Sequence, residues 1–121
     1  MRKVHVILAA LCVAFSLGST GAANGKTQSD YITNGLMCIH SYEGSWNANT
    51  GNGYYGGLQM DVGFQQAYGY TYLNGSRIDF IPQWGYAHNW PVWAQLQAGR
   101  NGYRARGWYP WPNTARFCGL M

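Results

Sequence analysis

Two cysteines, Cys38 and Cys118, constrain this chain more than any other pair of residues. A bond between them would place almost the whole folded part inside one covalent loop. Whether such a bond is expected depends on the compartment, and the N-terminus bears on that. Residues 1–23 open with Arg2 and Lys3, run apolar from Val4 to Leu17, and close in small residues, with Gly21 and Ala23 set for cleavage after Ala23. A basic start, an apolar centre and a small-residue exit make a secretory signal peptide, and the apolar run is short for a membrane anchor. Cys12 leaves with that segment and follows Leu11 rather than a small residue, which argues against a lipoprotein signal. The remaining pair is even in number and destined for an oxidising compartment, so a Cys38–Cys118 disulfide is expected. On chain-entropy grounds a loop of that length contributes about 4–5 kcal/mol before strain is counted.

Residues 24–121 suffice for one compact domain and not for two. They hold six basic side chains against four acidic ones, with a cluster only at Arg100, Arg104 and Arg106. Nucleic acid is therefore not an expected partner, and no membrane association is expected once the signal is removed. A mildly basic surface suits an anionic polymer such as a bacterial cell wall.

Apolar residues from Tyr31 to Tyr42 recur at helical spacing, which predicts a helix over 30–42, capped by Ser29 or Asp30 and ended by Gly44. Residues 24–29 are polar and precede it. The stretch "NANTGNGYYGGLQM", 47–60, holds a tight turn at Thr50–Gly53 and reads as a small hairpin or extended loop. Asp61 fits the N-cap of a short helix stopped by Gly69. No period is visible over 70–81. A further helix is expected near Pro82, with Pro91 kinking or restarting it. Val92, Leu96, Gly99 and Tyr103 then form one stripe of a helix ending at Gly107. The aromatic, Pro-rich tail reads as a strap without regular structure. The expected fold class is mostly α, in the α+β sense, with a Gly-rich hairpin or loop insertion.

Chemistry has few places to reside. The acidic side chains are Asp30, Glu43, Asp61 and Asp79, and Glu43 is the only Glu. A glycosidase requires a carboxylic acid that donates a proton to the leaving oxygen, and aromatic neighbours favour a neutral carboxyl. Tyr42 adjoins Glu43 and Trp46 follows three residues on. Six Trp and ten Tyr also supply flat rings with polar edges, suited to covering sugar faces. His40 lies one turn before Glu43 and reads as a polar-face histidine; His88 has no companion in sequence. Two histidines and two bridged cysteines do not make a zinc site, and neither a metal nor a cofactor is expected.

The stretches "CIHSYEGSW", "NTGNGYYGGLQ" and the closing "GWYPWP…C" resemble the transglycosylase-like domain of resuscitation-promoting factors, secreted muralytic proteins related to lysozymes. The likeness runs from about Tyr31 to Cys118. It implies a small lysozyme-like domain, with Glu43 as catalytic acid and the Cys38–Cys118 pairing seen again from a second direction. It also implies that Thr50, Tyr54, Tyr55 and Gln59 line a glycan cleft; Trp46, three residues after Glu43, is a further candidate for positioning the sugars. Asp61, 18 residues after Glu43, is the candidate second carboxylate, set against its place as a helix cap.

The expected function is cleavage of the β-1,4 bond between N-acetylmuramic acid and N-acetylglucosamine, by a lytic transglycosylase or a muramidase. The alternative is a non-catalytic cell-wall glycan-binding module of the same fold. The expected partners are peptidoglycan glycan strands, with a second wall hydrolase as a candidate, and the expected location is extracellular and wall-associated.

Overall fold

A computed structural model describes residues 27–121. The expected signal peptide and cleavage site, and Cys12, lie outside the described residues. Helix α1 spans Gln28–Glu43, and α2 spans Val62–Tyr68. Strands β1, Tyr70–Leu73, and β2, Ser76–Asp79, come next. Helix α3, Phe80–Trp84, and a single 3-10 turn, Ala87–Asn89, lead to α4, Val92–Arg106, and α5, Pro112–Phe117. The domain is mostly helical with one two-stranded antiparallel sheet.

Several boundaries fall where local chemistry puts them. Thr27, not Ser29 or Asp30, caps α1: its hydroxyl accepts from the Asp30 amide, and the Asp30 carboxylate accepts from the Thr27 amide. This reciprocal pair satisfies two end amides at once. Asp61 caps α2 as expected, accepting from the Phe64 amide at 2.7 Å. Pro91 restarts the chain at the head of α4, and Gly107, at φ 63°, ends it.

Three expectations are corrected. The sheet is at 70–79, where no period was visible, with Tyr70 opposite Asp79 and Leu73 opposite Ser76. Its turn is Asn74-Gly75, both at positive φ (52° and 82°), the conformation that matches strand twist in a two-residue hairpin. The 47–60 segment, by contrast, makes only isolated bridges, Asn49 to Tyr55 and Tyr55 to Met60. Second, the tail is not a bare strap, because Pro112 at its first helical position starts α5.

Third, α4 buries a wider face than the predicted stripe: Gly99 is buried and Leu96 and Tyr103 pack against the core, but small residues beside them carry most of it. Val92 is exposed, while Ala94, Gln95, Ala98, Gly99, Asn101 and Gly102 are buried. The reason is close approach. A Cβ at Gly102 would collide with the Phe64 ring, and one at Gly99 would sit 2.8 Å from Leu58 and 3.0 Å from Leu36. The partners supply the bulk: Leu36, Ile39, Leu58, Phe64 and Phe80 fill the centre, each stabilising by about 1.5–3 kcal/mol when fully buried. Helix α4 packs against α1, α2 and β1, and α5 packs on α1.

Buried polar side chains fasten the irregular segments to this frame. Gln95, fully buried, accepts from the Gly57 amide at 2.8 Å and donates to the Trp46 and Trp90 carbonyls at 2.8 and 3.1 Å. Gln65 donates to the Met60 carbonyl and accepts from the Ala87 amide, both at 2.9 Å. The Trp111 indole donates to the Leu58 carbonyl at 2.8 Å. Loop backbone buried in this way would otherwise lack partners. The Cys38–Cys118 disulfide is formed and joins α1 to the residue that caps α5, with Cα atoms 6.0 Å apart.

Candidate functional site

Glu43 is the last residue of α1, half-buried, and a buried threonine hydroxyl meets it: Thr114 of α5 donates to Glu43 Oε2. That contact spans 71 residues of sequence, and the disulfide lies one helical turn beyond it on α5. Cys38 and Glu43 on α1 thus face Cys118 and Thr114 on α5, so a covalent bond and a hydrogen bond fix the same pair of helices. Tyr42 does not enclose the carboxyl; it is exposed and lies against Phe117.

Trp46 builds the next part. Its ring stacks on His40 with centroids 3.8 Å apart and planes 20° apart. His40 Nδ1 lies 3.1 Å from the Gly57 carbonyl. A carbonyl can only accept, so Nδ1 is the donor in this contact. A side chain at Gly57 would overlap both rings. The "YYGGLQ" glycines therefore serve packing: Gly56 and Gly57 let the loop press onto Gln95, His40 and Trp46.

A cleft of about 180 Å³ lies beside this layer, and Tyr54, Gln59, Asp61, Arg106, Tyr109 and Trp111 are among its walls. Gln59 connects it to Glu43. This residue is held at φ 48° by the loop, its amide donates to the Gly56 carbonyl at 3.0 Å, and it packs against Gly44, next to the carboxyl-bearing residue. Trp111 makes a second connection, since Trp111 walls the cleft and Thr114, one turn along, reaches Glu43. Glu43 itself is not one of the cleft's lining residues.

The predicted site residues separate into groups. Tyr54, Gln59 and Asp61 share the cleft, although one Asp61 oxygen is engaged by the cap. Trp46 stands on His40. Tyr55 turns the other way and packs on Tyr86 and His88, with centroids at 5.0 and 5.5 Å. His88 Nε2 lies 3.4 Å from the Asn49 amide nitrogen. Thr50 is exposed at the loop tip, where a Cβ at Gly51 or Gly53 would meet nothing within 4 Å.

Thr114, Trp111, Arg106 and Tyr109 were not predicted as site residues. They lie more than 60 residues from Glu43 in sequence, and each reaches the site only because α4 and α5 fold back onto α1. No group of three or more metal-ligating side chains converges among the described residues, and no described helix is long and apolar enough to cross a membrane. No family model matches the chain, and no curated protein matches it.

Proposed function

We propose that this chain is a secreted peptidoglycan-cleaving glycosidase of lysozyme-like fold, in which Glu43 is the general acid. The observation that carries the proposal is the placement of the lone Glu. It ends helix α1, a hydroxyl from a distant element meets it, and Gln59 and Trp111 link its surroundings to a polar cleft walled by aromatic rings. Amphipathic rings with NH and OH edges, here Trp46, Tyr54 and Tyr109, are suited to sugars.

In the proposed reaction Glu43 donates its proton to the oxygen leaving from C1 of the muramoyl sugar. The C6 hydroxyl of that sugar then attacks C1 and returns a proton to Glu43, closing an anhydro ring. That route needs one carboxyl group, which fits a site where Asp61 is already occupied as a helix cap. If Asp61 instead activates a water, the same bond is hydrolysed. Incubating purified peptidoglycan with the wild type and with Glu43→Gln, followed by mass spectrometry, tests the proposal. Anhydromuramoyl fragments are expected from the wild type only, with both proteins folded by circular dichroism. Equal release by the variant would remove Glu43 from the mechanism.

One observation favours the alternative of a non-catalytic glycan-binding module: the Thr114 hydroxyl occupies an oxygen of Glu43, and Glu43 does not line the cleft. Co-sedimentation with sacculi without any soluble fragments would support that module over the enzyme.

A further inference from the structure

We propose that Arg100 and Arg104 of α4 form a second binding surface, which takes a flexible polymer of polyol units joined by phosphodiesters. Neither arginine lines the cleft, and the surface is independent of whether Glu43 cuts a bond.

The two arginines stand four residues apart, so they share one side of α4 about 6 Å apart along its axis. Neutral side chains hold them there. The Arg100 guanidinium donates to the Thr33 hydroxyl of α1 at 3.3 Å and to Gln97 Oε1 at 3.1 Å. Gln97 donates in turn to Asn101 Oδ1 at 3.0 Å, and Arg104 donates to the same oxygen at 3.5 Å. Asn101 is buried and anchored, because its amide donates to the Tyr68 and Tyr70 carbonyls, both at 2.9 Å. The cations are thus positioned by groups that do not neutralise them.

The acids are engaged elsewhere. Asp30 accepts from the Thr27 amide, Asp61 from the Phe64 amide and Glu43 from Thr114, while Asp79 pairs with Arg77. Among the described residues no ion pair reaches Arg100 or Arg104. Burial, and then repulsion from Arg104, hold the Arg100 guanidinium below its usual pKa, and no carboxylate counters them. Like charges at this spacing destabilise a helix. An anion bridging the pair would replace that repulsion with attraction to both.

Each guanidinium has more N–H donors than these bonds use, and a planar fork suits an oxyanion with two equivalent oxygens. Two forks one turn apart match a chain with an anion in each repeat better than a single small ion. A phosphodiester has its charge within a flexible backbone, so successive phosphates can follow the helix; a polyuronate holds its carboxylates on stiff rings. Proteins that bind single-stranded nucleic acid add aromatic platforms for the bases, and the network joining Arg100 to Arg104 contains no ring.

The test titrates the mature protein with end-labelled poly(glycerol phosphate), followed by fluorescence anisotropy at several salt concentrations. Binding should weaken steeply with salt, because neutralised phosphates release counterions. Arg104→Gln should weaken it about tenfold, the loss of a charge-assisted donor, and Arg104→Lys should recover only part. Arg116→Gln removes the same charge from α5 and should change little. Arg104 and Arg116 are exposed and glutamine suits a helix, so these variants should fold.

No binding, an equal loss in Arg116→Gln, or equal affinity for polygalacturonate or an oligodeoxynucleotide would each overturn the proposal. Glu43→Gln should bind the polymer as tightly as the wild type. Weaker binding by that variant would place the polymer at the cleft and overturn the proposal too.

Discussion

Thr114 is a small residue with two tasks, filling a buried position in α5 and orienting Glu43. Thr114→Val keeps the shape and deletes the donor. A hydrogen bond contributes about 0.5–1.5 kcal/mol and strengthens as an acceptor gives up its proton, so in the proposed reaction kcat/KM on peptidoglycan should fall by about tenfold. Thr114→Ser should recover most of it, whereas a merely structural role would make serine, which lacks the methyl, the worse of the two. Gln95 is the residue on which the loop most depends. Gln95→Leu leaves the Gly57 amide and the Trp46 and Trp90 carbonyls without their partner. At about 1–3 kcal/mol for a buried unsatisfied group, the variant should unfold at clearly lower denaturant, and hydrogen exchange at Gly57 should rise first. Glu43 was legible in sequence because it is the only Glu and lies between a cysteine and a tryptophan. Thr114 and Gln95 were not, since a threonine or glutamine carries no sign of what it will face. Arg100 and Arg104 are intermediate: their charges were visible, and the lack of a carboxylate partner among the described residues was not.

At the scale of elements, helix ends and turns were the most legible features. Asp61, Pro91, Gly107 and Gly69 all act close to where their side-chain or backbone chemistry predicts. The hairpin was missed although its signal was present, Asn-Gly between short runs of strand-forming residues, because the Gly-rich 47–60 segment was the more conspicuous turn. Gly75 has open space around it but sits at φ 82°, so Gly75→Ala should cost about 1 kcal/mol through backbone strain alone. Gly102 is the opposite case, a helical glycine limited by a neighbour. Gly102→Ala drives a methyl into Phe64 and should cost about 1–3 kcal/mol, which a melting curve would read as a lower Tm. The expected stripe on α4 was incomplete, with Val92 exposed and Leu96, Gly99 and Tyr103 on the core side, because periodicity counts mainly large apolar residues. Here the helix presents its small ones to larger rings and branched chains from α1, α2 and the loop.

For the whole molecule, the decisive link joins first helix to last. The Cys38–Cys118 bond and the Thr114–Glu43 contact lie one turn apart on α5. Reduction should therefore lower stability by about 2–5 kcal/mol and lower activity as well, even under conditions where the protein stays folded by far-UV circular dichroism. Retained activity in the reduced, folded protein would mean that α5 holds its place without the bond. The sequence by itself determined the cysteine pairing, the Asp61 cap, the glycine that ends α4 and the position of the one Glu. Each of these depends on local backbone rules or on counting a scarce residue type. Only the tertiary structure decided which small residues α4 buries, that Tyr54 and Tyr55 part company, and that Thr114 meets Glu43 at the end of α1. Those outcomes depend on contacts between residues far apart in the chain, where size and hydrogen-bonding capacity must match in three dimensions and leave no periodic trace in one.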